Sequence, residues 1–340
     1  MILTNEWVFR NWVFGPVAKV AGFIAVNDNI DNSLSLIKQR IDEGYSVLIF
    51  PEGHRSKDGF IQRFHRGAFY IAEKLNLDIL PVMIFGSGDF LPKGIFWGKP
   101  NRLFTQILPR ILPENQTFGN NYSERTKQVR RYYHQEYLKF RTKHNTPAYN
   151  VMNLRLNYLF KGPILEWYIR IKMILENNFN CYCTLLPRKG DILDLGCGYG
   201  YISYMLMLNS GERIITGVDY DSNKINVAKH GYLKNDNISF IEADVTKYQV
   251  TPQDAFLFGD VLYYLTYDKQ KSLLQTCIRN LKPGGMILIR EGKLFFTSPQ
   301  KLREIAGEHG LTFEIIDQKR ITSNNFFVMR LPMKENSNFI

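Results

Sequence analysis

Two stretches of the sequence carry side chains at spacings that do chemistry. The first is LIFPEGHRSKDGF at 48–60, where an apolar run (Val47, Leu48, Ile49, Phe50) stops at Pro51 and gives way to Glu52, Gly53, His54, Arg55 and Ser56. Glycine lets backbone approach a ligand, and arginine offers a fork of donors matched to phosphate oxygens, so such a loop suits a phosphate. Holding a phosphate is not yet a reaction, which also needs a base. The second stretch is GDILDLGCGYGYISYMLM at 190–207, in which Ile192–Leu195, with Asp194 inside it, runs into Gly196, Gly198 and Gly200 and then a helical pattern. Glycines at this kind of turn let the chain pass close beneath a ligand and leave helix amides pointing outward. Asp219 ends the next apolar run, Ile214–Val218, about 20 residues on, where a ribose hydroxyl pair would be read. Asp244 follows a third run, Ile238–Ile241, and Asp260 follows a fourth, Ala255–Phe258, after Gly259.

Each of these acids alone would serve as a helix N-cap. Together they line the carboxyl ends of parallel strands, where open α/β sheets bind ligands. The elements that must position them follow from periodicity. Ser33–Ile41 and Gly67–Leu75 read as helices leading to strands at 47–50 and 79–85, and Leu154–Phe179 reads as one or two amphipathic helices with aromatic weight. LKPGGMILIREG at 281–292 gives a helix end, a turn and a fifth strand of the second series. The polar stretch KHNTPAYN at 143–150 divides the two series. The expected fold class is α/β, with an N-terminal domain over 1–145 and a doubly wound, Rossmann-like domain over 146–340.

Composition narrows the classes. At 340 residues and 45% hydrophobic content the chain has room for two buried cores. No apolar run reaches the roughly 18 residues of a membrane-spanning helix, and the N-terminus lacks a signal-peptide pattern. Four cysteines (Cys181, Cys183, Cys197, Cys277) form no metal spacing and read as free thiols of a reducing cytoplasm, with no metal expected. The net charge of +11 sits mostly in residues 101–190, which hold 15 Lys/Arg against 5 Asp/Glu. Within that segment YSERTKQVRRYYHQEYLKFRTKH at 122–144 reads as a helix with Val129, Tyr133, Tyr137 and Phe140 on one stripe among Arg125, Lys127, Arg130, Arg131, Lys139 and Arg141. It is either a solvated basic face over a core stripe or a contact for an anionic membrane surface or nucleic acid. The membrane reading expects Tyr133, Tyr137 and Phe140 to insert.

The series after residue 150 resembles the class I S-adenosylmethionine-dependent methyltransferases. The turn has G-x-G-x-G followed by Tyr201 rather than the dinucleotide fingerprint G-x-G-x-x-G. The resemblance implies S-adenosyl-L-methionine as cofactor, with Asp194 and the Gly196/Gly198/Gly200 turn beside its amino-acid moiety. It further implies Asp219 on the ribose, Asp244 near the adenine amine, and Gly259 and Asp260 bordering the transfer cleft. Nucleobase-amine enzymes of this family carry an Asn/Asp-Pro-Pro-Tyr/Phe cluster after the fourth strand. Here Gly259-Asp260-Val261-Leu262-Tyr263-Tyr264 stands in its place, which argues against a nucleic-acid acceptor. Tyr263, Tyr264 and Glu291 line an acceptor pocket, assist a proton transfer or simply pack, and no catalytic base is assigned.

The FPEGHRS stretch resembles the FPEG-T-RS motif of the glycerol-phosphate acyltransferases, over roughly residues 4–112. RFHRGAFYIAEKLNLDILPV and VFRNWVFGPVAKVAGFIAV resemble the family's flanking segments. On this resemblance Glu52, Gly53, Arg55 and Ser56 hold the acceptor's phosphate or polar head, with acyl-CoA or acyl carrier protein as donor. His54 stands where threonine is usual, and Asn27-Asp28 replaces an upstream arginine, which favours a hydroxyl acceptor other than glycerol phosphate. The family's base is a histidine with an aspartate five residues on. Of the six histidines only His309 has a carboxylate there, Glu314, and it lies in the second domain; His54 with Asp58 is one residue short. The expectation is an acyltransferase part that lacks its base in this chain, the missing segment lying upstream of Met1. The pairing of domains resembles the tail of bacterial fusion polypeptides with an exporter-like front half, which implies a lipid or small-molecule acceptor and a cytoplasmic location peripheral to the inner membrane. The alternatives are a methyltransferase carrying a non-catalytic lipid- or partner-binding module, and an RNA methyltransferase.

Overall fold

The computed structural model describes residues 1–12, 14–26, 31–56, 59–91, 98–176, 178–292, 298–318 and 324–332. Asn27, Asp28 and Asp58, which the sequence singled out, lie outside the described residues. The chain forms two compact units, Met1–His144 and Asn145–Ile340.

In the first unit β1 (Leu3–Asn5), α1 (Glu6–Arg10), α2 (Phe14–Val20) and β2 (Ile24–Val26) come first, with β1 and β2 paired in parallel. Then follow α3 (Asp31–Asp42), α4 (Gly67–Lys74), β3 (Val82–Phe85), the short α5 (Ser87–Phe90) and β4 (Phe104–Ile107), which pairs antiparallel with β3. A small core of Leu3, Ile24, Ile37 and Ile71 packs α3 and α4 against the β1–β2 pair. The unit closes with α6 (Tyr122–His144), whose bounds match the sequence reading. The expected buried strand at 47–50 is a correction: Leu48 makes one bridge to Ile2, and the side chains of Leu48 and Phe50 are exposed. An apolar run buries as a strand only when both its edges and both its faces are covered, and among the described residues the backbone of Leu48 bonds to Met1 and Leu3.

The second unit opens with α7 (Pro147–Leu156), α8 (Pro163–Glu176) and α9 (Phe179–Leu185). The polar stretch at 143–150 is not a free linker, since Asn145 and Asn150 are buried and Asn145 donates to the carbonyls of Leu208 and Asn209. An alternating series follows: β5 (Lys189–Leu195), α10 (Tyr201–Asn209), β6 (Glu212–Asp219), α11 (Ser222–Lys229), β7 (Ile238–Glu242), β8 (Gln253–Gly259), α12 (Tyr267–Arg279), β9 (Leu281–Gly292), α13 (Pro299–Glu308), β10 (Thr312–Gln318) and β11 (Asn324–Arg330). These strands make one seven-stranded sheet in the order β10-β11-β9-β8-β5-β6-β7. β5 to β9 run parallel, while β11 lies antiparallel between β9 and β10.

Strand side chains alternate between faces. Ile192, Ala255 and Leu257 join a core with Tyr204, Met205 and Leu206 of α10, whereas Leu193, Leu195, Phe256 and Phe258 join another with Leu274 and Ile305. With both faces covered, these strands read as continuous apolar runs. From β5 the chain winds outward to β6 and β7, then crosses to β8 on the other flank of β5. That reversal falls at the carboxyl ends of β5 and β8, the place where doubly wound sheets take ligands. All four cysteines are buried and unbridged. No helix among the described residues is long and apolar enough to cross a membrane.

Candidate functional site

At the carboxyl end of β5 the chain turns through Gly196–Gly200 into α10. The amides of Gly196 and Cys197 both donate to the Val218 carbonyl, at 2.7 and 3.1 Å, tying the turn to the end of β6. The amide of Gly198 donates to the Asp219 carboxylate at 2.8 Å. The other carboxylate oxygen of Asp219 accepts from the Asp221 amide at 3.0 Å. The three glycines all have positive φ but differ in surroundings. A Cβ at Gly196 would fall 2.6 Å from Val261, just beyond Asp260, and one at Gly200 would fall 2.5 Å from Phe240 of β7. At Gly198, where φ is +54°, the nearest atom would be the Lys224 Cδ at 4.0 Å. The turn is therefore packed at its two ends and open in the middle.

Asp194 lies on the face of β5 covered by α10 and is 2% exposed. Its carboxylate accepts from the Ser203 hydroxyl of that helix. Burial pushes the carboxyl up to about 7; the Ser203 hydroxyl opposes the shift and the nearby Asp219 adds to it. Ala243 donates its amide to the Asp219 carbonyl at 3.0 Å, which brings the end of β7 alongside. Asp244, the next residue, accepts at Oδ1 from both the amide and the hydroxyl of Thr246. Those bonds hold its carboxyl below the usual carboxylate range. Asp244 is thus a turn-capping residue at the rim.

Asp260 is one of two described non-glycine residues with positive φ, at 55°. Its carboxylate is ion-paired with Arg290, a β9 residue only 4% exposed, and accepts from the Gly292 amide at 3.2 Å. The structure thus commits Asp260 to bracing β8 against β9. Glu291 is buried at 3% exposure, while Tyr264 is 74% exposed with its ring 4.1 Å from that of Tyr263. Sequence reasoning did not single out Tyr220, the residue after Asp219, which is 76% exposed. An aromatic residue directly after an acid that ends a strand was its signal. Ser203 was missed too, because its meaning depends on Asp194 across a helix–strand contact.

The cradle fits a ligand with an adenosine-like end. A carboxylate offers about four lone-pair sites, and two amides use two of those on Asp219, leaving acceptors for a pair of hydroxyls. The open space over Gly198 admits a close approach, and the Tyr220 ring offers an apolar face.

In the first unit, the 52–56 loop is held by its own Glu52 and Arg55 side chains. Glu52 accepts from the Gln62 amide at 2.8 Å, and Arg55 donates to the Leu91 carbonyl at 3.0 Å. Gly53 has a φ of +69°, and a Cβ there would stand 3.1 Å from the His65 ring. His54 is exposed and Ser56 half-buried. Among the described residues no histidine is hydrogen-bonded to a carboxylate.

The expected membrane insertion of α6 is a correction. Tyr137 and Phe140 are 6% and 5% exposed, and Tyr133 packs edge-on to Phe64 while donating to the Val82 carbonyl. The stripe is the helix's contact with its own unit, because its spacing matches a core face that β3 and the 59–64 segment cover. Several cations of the helix are also used inside the unit. Arg125 is buried and donates to the carbonyls of Pro113 and Asn115, and Arg141 lies over the Phe60 ring and donates to the Gly59 carbonyl.

Comparison with known proteins matches both units. The family described as "Methyltransferase domain" matches residues 192–285, and the family described as "Acyltransferase" matches residues 1–85. Residues of the first unit are 40% identical over 67 residues to a chloroplastic 1-acyl-sn-glycerol-3-phosphate acyltransferase of Brassica napus, covering 20% of this chain and 18% of that protein. The second unit is 27% identical over 121 residues to the carboxy-S-adenosyl-L-methionine synthase of Campylobacter concisus, covering 35% of this chain and 51% of that protein. The chain thus spans under a fifth of the first relative and about half of the second. Among solved structures, the N-methyltransferase NodS of Bradyrhizobium japonicum covers 46% of this chain and 96% of its own, at 18% identity and a TM-score of 0.40.

Proposed function

Because the chain joins an acyltransferase domain at its N-terminus to an S-adenosylmethionine-dependent methyltransferase domain at its C-terminus, we propose that it methylates a lipid-type or hydroxylated acceptor. The observation that carries this reading is the convergence of β5, β6 and β8 on one turn, with the Gly198 amide on the Asp219 carboxylate. S-adenosylmethionine supplies a methyl group already activated by its sulfonium, so the chain's task is alignment. Asp219 receives the ribose hydroxyls, the Tyr220 ring covers the adenine, and the open backbone at Gly198 lies under the amino-acid end. Asp194, beneath that turn, supports the site through Ser203. The Asp260–Arg290 pair fixes the far wall, with Tyr263 and Tyr264 lining the acceptor side. Asp244 stands near the adenine amine at the rim.

The first unit is read by itself as a binder of a lipid or polar-head acceptor. Glu52, Gly53, Arg55 and Ser56 form a loop suited to a phosphate or polar head, with an acyl-CoA or acyl-carrier-protein thioester as the matching donor. A second reading of this unit, as a lipid- or partner-binding module that does not transfer acyl groups, is favoured by one observation. The described histidines have no carboxylate partner, and a histidine that takes a hydroxyl proton is ordinarily oriented by one. On either reading the chain works at a membrane surface, attached peripherally.

The test is methyl transfer from S-adenosylmethionine labelled in its methyl group to the lipid, RNA and small-molecule fractions of one cell extract. The expected result is label in the lipid fraction, with no acyl transfer from acyl-CoA by this chain alone. Label confined to RNA would overturn the acceptor class.

A further inference from the structure

Helix α6 and the segment before α4 enclose a groove of about 680 Å3. Its wall carries Arg63, His65 and Arg66 from the segment and Lys127, Arg130 and Arg131 from the helix. Among the described residues no carboxylate lines it. Phe64, 3% exposed between Arg63 and His65, anchors the segment by packing on Phe69 and Tyr133. That anchor turns the neighbouring cations outward on a fixed backbone. Arg130 is positioned as well, its Nε donating to the Gln62 carbonyl at 3.0 Å.

The helix sorts its cations. Arg125 and Arg141 are spent on carbonyls of the same unit, and Lys139 pairs with Glu136. Among the described residues the side chains of Arg63, Arg66, Lys127 and Arg131 make no ion pair or hydrogen bond. Uncompensated like charges gathered in one recess repel each other, and a bound polyanion relieves that repulsion.

The shape of the recess selects among anions. A bilayer is flat and meets cations on convex or level surfaces, whereas these line a concavity. A single phosphate engages two or three donors and leaves the rest unmatched. The volume falls within the roughly 300–1,000 Å3 of small-ligand sites, enough for a nucleotide. The groove also adjoins the 52–56 loop, because the His65 ring is the neighbour that a Cβ at Gly53 would meet at 3.1 Å.

We propose that this groove binds a nucleotide carrying two or more phosphates, either free or as the nucleotide end of a coenzyme-A thioester. The second source rests on the acyltransferase reading; the binding itself does not.

Titration calorimetry on the full chain tests it, with adenosine 3′,5′-bisphosphate, coenzyme A, ADP and inorganic phosphate at low and high salt. The bisphosphate is expected to bind at least about tenfold more tightly than phosphate, and to weaken as salt rises. The double variant R66Q/R131Q should lose about tenfold or more of that affinity, and K139Q should lose none. Bound S-adenosylmethionine, measured in the same samples, reports that the second unit is intact, and unchanged circular dichroism reports the first. Coenzyme A and the bisphosphate binding more tightly than ADP assigns the groove to a thioester donor; ADP binding as tightly assigns it to a free nucleotide. Equal affinity for phosphate and bisphosphate, binding unchanged in R66Q/R131Q, or attraction only to phosphatidylglycerol vesicles would overturn the proposal. Bisphosphate binding retained with no preference for coenzyme A over ADP would count against the acyltransferase reading alone.

Discussion

The amide of Gly198 donates to the Asp219 carboxylate at 2.8 Å, joining the turn after β5 to the last residue of β6. One side chain thus holds the glycine turn at the carboxyl end of the sheet. The turn keeps its shape without any side chain of its own at residue 198, where a Cβ would meet nothing closer than 4.0 Å. A binding surface made of backbone needs such an external brace, and the brace is itself a candidate ligand.

Asp194 makes the stability of the second unit depend on pH. Burial raises its folded-state value from 3.8 to about 7. The folded state therefore holds a proton that the unfolded state releases between those values, so this group's contribution is full below pH 3.8 and is lost as pH rises through about 7. The loss is on the order of a few kcal/mol, at 1.36 kcal/mol per unit. In D194N, which keeps an acceptor for Ser203, the slope should vanish. Denaturant unfolding of both proteins between pH 5 and pH 8 checks it; parallel profiles would show that Asp194 titrates normally.

The glycines of the turn should separate on substitution. G200A drives a Cβ to 2.5 Å from the Phe240 ring at a positive φ, and should cost about 2–4 kcal/mol by overpacking and backbone strain. G198A meets open space and should cost about 1 kcal/mol of strain, yet weaken S-adenosylmethionine binding more than G200A does. Hydrogen exchange of the β5 and β6 amides gives the stabilities, and calorimetry gives the affinities. Equal binding losses would show that residue 198 is no closer to the ligand than residue 200.

The local parts of this fold were legible in the sequence. Apolar runs ending in glycine or acid marked β5, β6, β7 and β8, and the 122–144 helix followed from its stripe and charges. The sheet order was not legible, nor was the partner of Asp260, because Arg290 lies 30 positions away and the parallel pairing of β8 with β9 brings them together. The aromatic stripe of α6 was visible, but spacing alone does not say whether bilayer or protein covers it; Phe64 and β3 decide for protein. The run at 47–50 misled because four apolar residues look alike whether a sheet buries them or leaves Phe50 59% exposed. In the candidate site, the acids at the strand ends were found by position, while their division into turn brace (Asp219), buried support (Asp194), turn cap (Asp244) and strand brace (Asp260) came only from the contacts.

The central claim is that the turn and Asp219 bind S-adenosylmethionine, and titration calorimetry on the wild type and on D219A tests it most directly. Loss of charge-assisted hydrogen bonds to the ribose is worth about 1.5–3 kcal/mol, or roughly 10- to 150-fold in affinity. The account predicts saturable binding by the wild type and a loss of that size in D219A, with the circular dichroism of the two proteins unchanged. Equal affinity in the two proteins, or no binding by a folded wild type, would contradict it.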